Sequence, residues 1–198
     1  MRKLTMTDFV PMPWRNGGGS TTQLAVSPPA ANLDNFDWRI STAQIASDGP
    51  FSFFPGVDRS LAVLRGTLSV TADEEPAFLL AAGDKPFVFH GEQQIETELP
   101  DGPIADFNVM TRRACCDHSL QMMQVHGALE FRQRSDLVFA YVVQGKLQCL
   151  DGTGESHHCG DGEALLLDRQ ESARIFLSSV SALICVARIN FKDSRHVH

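Results

Sequence analysis

Basic charge is in short supply. The 198 residues carry 17 Lys and Arg against 24 Asp and Glu, a formal net charge of −7, with no long basic run. A protein that grips a phosphate backbone needs clustered Lys and Arg, so a nucleic-acid partner is excluded. Long apolar runs are also missing. None approaches the roughly 20 residues of a membrane-spanning helix, and MRKLTMTDFVPMPW lacks the apolar stretch of a signal peptide. A cytoplasmic protein with no membrane partner is expected. Cysteine is sparse: five residues, an odd count, with Cys115 and Cys116 adjacent and no C-x-x-C pair. Reduced thiols in a cytosolic protein fit that usage. Strong helical periodicity is scarce throughout.

What the chain does have is short runs rich in β-branched and aromatic residues. FDWRISTAQI (36–45), LAVLRGTLSV (61–70), KPFVFHG (85–91), DFNVMTR (106–112), LVFAYVVQGKLQCL (137–150), EALLLD (163–168) and ALICVARINF (182–191) are separated by Gly, Pro and Asp. Many short strands with such punctuation predict an all-β sandwich or barrel.

WRNGGGSTTQL (14–24) raises the question of a phosphate-binding loop. Such a loop needs Gly-Lys-Ser/Thr after a strand and at the start of a helix. No Lys follows these glycines, Pro11 and Pro13 precede them, and the residues after them read as a strand. A tight turn is expected instead, with Asn16 and the glycines free to adopt positive φ.

A weak internal repeat is present. LAVLRGTLSV and AYVVQGKLQC each place a glycine, Gly66 or Gly145, between two strands. Each is followed by a Gly-Asp pair, Gly83-Asp84 or Gly160-Asp161, at an offset of about eighty residues. The pattern resembles a cupin half-barrel occurring twice. The expected fold is therefore all-β with two cupin-like β-barrels (a bicupin, or double-stranded β-helix), 1–113 and 114–198. The His and Glu ligands that cupins often use for a metal are absent from both copies, so no metal and no cofactor is expected. His157 and Cys159 alternate onto one strand face, but two ligands do not make a zinc site. Cys115 and Cys116 lack a paired His and read as structural.

WRNGGGSTTQL, FDWRISTAQI, SDGPFSFFPGVDRSLAVLRG, PFVFHGE and ADFNVMTRR occur in an order that resembles the HutD/Ves family of bicupin proteins, over about residues 10–113. The resemblance implies a non-enzymatic binding protein. In some members it implies a governor of histidine utilization with N-formyl-L-glutamate as ligand, in others a stress-response protein of unknown ligand.

Strand alternation puts Arg39 and Ser41 on one face and Asp106, Asn108 and Met110 on another. If these faces turn inward, Arg39, Arg59 and Asn108 meet there, and arginine holds a carboxylate through two parallel N–H···O bonds. Ser52 and Asn16 are candidate neutral donors, and Phe54, Phe87 and Phe89 candidate apolar walls. The competing readings are structural. Arg39 and Arg59 pair with Asp48, Asp58 or Asp106, Phe87 and Phe89 belong to the core, and Trp14 anchors the N-terminal arm. The expected ligand-binding set is Asn16, Arg39, Ser41, Ser52, Phe54, Arg59, Phe89, Asp106 and Asn108, with a small acid as partner. The alternative is a metal-free or atypical-metal isomerase or hydrolase with Asp106 as general base. An exposed cupin sheet edge offers a route to a homodimer.

Overall fold

β-Branched and aromatic runs become strands almost everywhere. The computed structural model describes residues 1–14, 18–132, 134–151, 154–168 and 174–192, and no helix occurs among them. In chain order the strands are β1 (Arg2–Leu4), β2 (Val10–Pro13), β3 (Gly19–Ser27), β4 (Trp38–Ile45), β5 (Gly49–Pro50), β6 (Val57–Arg65), β7 (Thr67–Ala72), β8 (Phe78–Ala81), β9 (Phe87–His90), β10 (Ile95–Glu98), β11 (Ile104–Arg112), β12 (Cys116–Arg132), β13 (Leu137–Gly145), β14 (Leu147–Leu150), β15 (Ser156–Cys159), β16 (Ala164–Asp168) and β17 (Arg174–Phe191). This is the all-β class expected from the strand pattern. The chain divides into two units, Val10–Asp117 with Lys192, and Met1–Phe9 with His118–Phe191.

In the Val10–Asp117 unit, six strands pair in the order β2-β3-β4-β11-β6-β9 and four in the order β5-β10-β7-β8. Ala43, Ile45, Leu61 and Val63 of the larger sheet share one core with Leu68, Val70, Leu80 and Ile95 of the smaller. Each Val, Leu or Ile side chain among them removed from water contributes roughly 1.5–3 kcal/mol. The chain passes from one sheet to the other at Gly66, whose φ is 86°. A Cβ there would sit 2.8 Å from Ile104 Cγ2, so both the turn and the close approach require glycine. β11 is central, between β4 and β6, and all its residues from Ile104 to Thr111 are buried. Polar side chains on β11 are consequently held out of water.

The WRNGGG stretch joins β2 to β3. Trp14 N donates to the Gly19 carbonyl at 3.0 Å, and Trp14 Nε1 donates to Thr21 Oγ1 at 2.8 Å. A Cβ on Gly19 would fall on the Gln44 carbonyl oxygen. The loop closes an antiparallel hairpin, with no helix after it to face a phosphate.

In the other unit the order is β1-β16-β13-β17-β14-β15, with β12 paired to β17. β1 lies antiparallel to β16, Leu4 opposite Ala164. The core is apolar, built from Val138, Ala140, Val142, Leu165, Leu167, Ile184 and their neighbours. Gly145 has a φ of 99°, and a Cβ on it would lie 2.9 Å from Ala182 Cα. Gly66 and Gly145 thus solve the same problem in the two copies of the repeat.

Candidate functional site

Three adjacent strands build the site. On β4, Arg39 and Ser41 share a face with the core residues Ala43 and Ile45. On β11, Asp106 and Asn108 share a face with the core residue Ile104. On β6, Arg59 shares a face with Leu61 and Val63. Period-2 alternation makes each of these sets inward-facing. The register then fixes who meets whom. Met110 lies opposite Arg39 on one side and Arg59 on the other, Asn108 opposite Ser41 and Leu61, and Asp106 opposite Ala43 and Val63. Two strand spacings separate the backbones of the two arginines, roughly 10 Å.

Arg59 is 7% exposed. Its guanidinium carbon lies 4.7 Å from the centroid of Phe89, 5.1 Å from that of Phe51 and 5.6 Å from that of Phe54. Cation–π attraction favours that cage. Nη1 donates to the Ser52 carbonyl at 3.3 Å, and Nε is buried with no partner. Arg39 is 6% exposed. Its Nε donates to Gln23 Oε1 at 2.9 Å, Nη1 to Ser41 Oγ at 3.4 Å, and Nη2 meets Met12 Sδ at 3.7 Å. Among the described residues, no carboxylate oxygen lies within 4 Å of either guanidinium. The competing structural pairing fails for two of its three acids. Asp58 accepts from Arg113 and meets His90, and Asp48 accepts from Leu99 N.

Asp106 is the third acid. It is 2% exposed and accepts from Ala43 N at 3.0 Å. Burial raises its pKa to about 7, against the opposing pull of the Arg59 charge and the Ala43 N–H. Burial also lowers Arg59 to about 10; Asp106 opposes that shift and the like charge of Arg39 adds to it. Burial lowers Arg39 as well. Both guanidiniums remain cationic at neutral pH. Asn108 Oδ1 is buried without a partner. The arrangement therefore offers two cations, an unused guanidinium N–H and an unused amide oxygen inside one water-poor space.

Of the expected residues, Arg39, Ser41, Arg59, Phe89, Asp106 and Asn108 come together on the inner face of the six-stranded sheet. Phe54 joins through its ring over Arg59. Ser52 contributes its backbone carbonyl, while its side chain is exposed. Asn16 lies outside the described residues. Phe89 is both core and cage. Three contributors escaped the sequence reading: Gln23, Phe51 and Met12. Gln23 lies opposite Ser41, a pairing that alternation within β3 cannot supply.

Burial pushes the Cys116 thiol up to about 12, far from a thiolate at neutral pH. His157 shares its face with Cys159, but its ring nitrogen approaches Asp151 at 3.7 Å and Glu155 at 3.9 Å.

The HutD family model matches residues 6–185. The chain belongs to the HutD family. The match extends past the 10–113 region where the sequence motifs carry the resemblance. Protein Ves of Escherichia fergusonii is 32% identical over 175 residues, covering 86% of this chain and 88% of that protein. HutD from Pseudomonas fluorescens SBW25, solved in a formate condition, is 30% identical with a TM-score of 0.81, covering 96% of this chain and 98% of that one. A conserved protein of unknown function from Pseudomonas aeruginosa PAO1 gives a TM-score of 0.86 at 26% identity, with coverage of 96% and 98%. A cupin 2 conserved barrel domain protein from Leptotrichia buccalis, 10% identical with a TM-score of 0.59 over 96% of this chain and 100% of that one, shows the fold to be cupin-like.

Proposed function

We propose that this HutD-family chain is a non-enzymatic receptor for a small carboxylate, held inside the Val10–Asp117 unit by Arg39 and Arg59. The observation that carries this is the pair of buried guanidiniums that, among the described residues, have no carboxylate at hydrogen-bond distance; the unpartnered Asn108 Oδ1 near them can accept a ligand N–H. Buried charge is costly unless paired, and a ligand carboxylate supplies the pairing with charge-assisted bonds. The aromatic cage around Arg59 supplies the apolar wall that ligand pockets use for shape. The HutD-family match supports histidine utilization as the setting. The candidate ligand is N-formyl-L-glutamate, and the role is to govern histidine utilization by holding that intermediate.

The test is a thermal-shift titration with N-formyl-L-glutamate beside glutamate, urocanate and histidine. A ligand selective for the folded state adds about 2.7 kcal/mol of stability at a hundredfold excess over Kd. A dose-dependent shift for N-formyl-L-glutamate alone supports the reading. A folded Arg59→Ala variant should then lose roughly tenfold to a hundredfold in affinity, the worth of one charged hydrogen-bonded anchor. Unchanged affinity removes Arg59 from the site, and no shift with any of the four removes the histidine-pathway ligand.

A second reading rests on Asp106. A buried carboxyl with a pKa of about 7 beside an arginine is poised for general acid–base work on a small polar substrate. New resonances in the NMR spectrum of N-formyl-L-glutamate incubated with the protein would favour an enzyme over a receptor.

A further inference from the structure

Asp106 and the two arginines make an odd number of buried charges on one sheet face. Asp106 faces inward on β11, Arg59 on β6 and Arg39 on β4, and the two arginines are the charged groups that share its face among the described residues. β3 contributes neutral Gln23, β9 contributes Phe89, and the smaller sheet contributes Leu68, Val70, Ile95 and neutral Thr97. Asp106 hydrogen-bonds a backbone N–H, not a guanidinium. It feels the Arg59 charge without bonding to it, and it shares its sheet face with Arg39. A ligand carboxylate entering the same space compensates the cations and places a second negative charge near Asp106. Two carboxylates sharing one low-dielectric site do not both stay ionised readily.

We propose, building on the receptor reading above, that the Val10–Asp117 unit takes up one proton with each carboxylate it binds, and that Asp106 is the group that accepts it. The proton comes from solvent and ends on an Asp106 carboxyl oxygen, and no bond in the ligand changes. The site then holds the ligand against two guanidiniums and a neutral carboxyl. Asp106 so becomes a specificity residue: it disfavours anions when ionised and admits them when protonated.

The sign follows from the free site. With Asp106 titrating near 7, a ligand that raises its pKa binds best below that value and more weakly above it. Free carboxylic acids have pKa values of about 4 and Arg59 titrates near 10, so neither changes charge between about pH 5.5 and pH 8.5. Isothermal titration calorimetry should use N-formyl-L-glutamate and formate as probes across that range, each pH in two buffers of different ionisation heat. The expected result is an affinity that falls about tenfold per pH unit above pH 7, with uptake approaching one proton per ligand. Asp106→Asn should bind with an affinity independent of pH and with no proton exchange. Binding with a flat pH profile and no buffer-dependent heat overturns the inference while leaving the receptor reading intact. A pH slope that persists in Asp106→Asn overturns the assignment to Asp106. Should that variant fail to fold, the wild-type buffer-heat experiment decides alone. Absence of binding by both probes at every pH overturns the receptor reading, and the proton linkage with it.

Discussion

Asp106 has an ordinary carboxyl pKa of 3.8 and one of about 7 in the fold, because β11 is buried on both faces and strips water from the carboxyl. The folded chain therefore holds the proton more tightly than the unfolded chain. The stability associated with the neutral carboxyl is complete below about pH 3.8 and is lost as pH rises to about 7. At ~1.4 kcal/mol per pH unit, the rise from 3.8 to about 7 bounds that loss at ~4 kcal/mol. Asp106→Asn mimics the neutral form. It should be more stable than wild type at pH 8 and nearly equal to it at pH 4, in urea unfolding without ligand; equal stability differences at both pH values would refute the buried-carboxyl account. Much at this scale was legible from alternation alone, which places Arg39 with Ser41 and Asp106 with Asn108 on single faces. The partners were less so. Ser52, a candidate for a neutral hydrogen bond, meets Arg59 through its backbone carbonyl, and Gln23 reaches Arg39 from a neighbouring strand whose register no local pattern encodes.

Arg59 keeps its place through the element that follows it in the sheet as much as through its own strand. β9 is followed directly by Gly91, whose N–H donates to the Val57 carbonyl at 2.7 Å and whose carbonyl accepts from Phe54 N at 2.7 Å. A Cβ on Gly91 would fall on the Phe54 carbonyl oxygen and come within 3.0 Å of the Val57 oxygen. The segment pressed against Gly91 carries Phe51, Ser52 and Phe54, which surround the guanidinium. Gly91→Ala must push that segment outward, at a cost of about 1–3 kcal/mol for overpacking, and should weaken carboxylate binding as well. Gly102 is the control: its φ is 87° but a Cβ there meets nothing within 4 Å. Gly102→Ala should lose about 1 kcal/mol of stability through backbone strain and keep its affinity. If Gly91→Ala binds as tightly as wild type, the loop does not shape the site. Glycine turns were readable as punctuation in the sequence. That Gly91 is held by close packing, with no unusual φ, is a property of two segments meeting and has no local signature.

At the scale of the whole chain, the two units use one strand pattern for different interiors. The inner faces of β4, β6 and β11 carry two arginines, an aspartate and an asparagine. The corresponding faces of β13, β16 and β17 carry Val138, Ala140, Val142, Leu165, Leu167, Ile184 and Val186, with Arg188 opposite Val138 at one end. The sequence repeat showed the shared turns at Gly66 and Gly145 but not this divergence, because both sets of strands are rich in the same β-branched residues. The N-terminal strand was less legible still: β1 is only three residues long and pairs with β16, a partner far away in the sequence. The divergence of interiors makes a prediction about where ligand acts. Away from its Arg188 end, an apolar core already filled by its own side chains gives a carboxylate no hydrogen bonds, and burying an unpaired charge there is prohibitive. Saturating N-formyl-L-glutamate should therefore slow amide exchange in 38–45, 57–65 and 104–112, the strands that carry the inward polar groups. Exchange in 137–145 and 164–168 should not change, because local opening there is uncoupled from the site. Hydrogen–deuterium exchange read by mass spectrometry resolves the two sets, and protection confined to β13 and β16 would move the binding site to the other unit and leave the two buried arginines as structural charges.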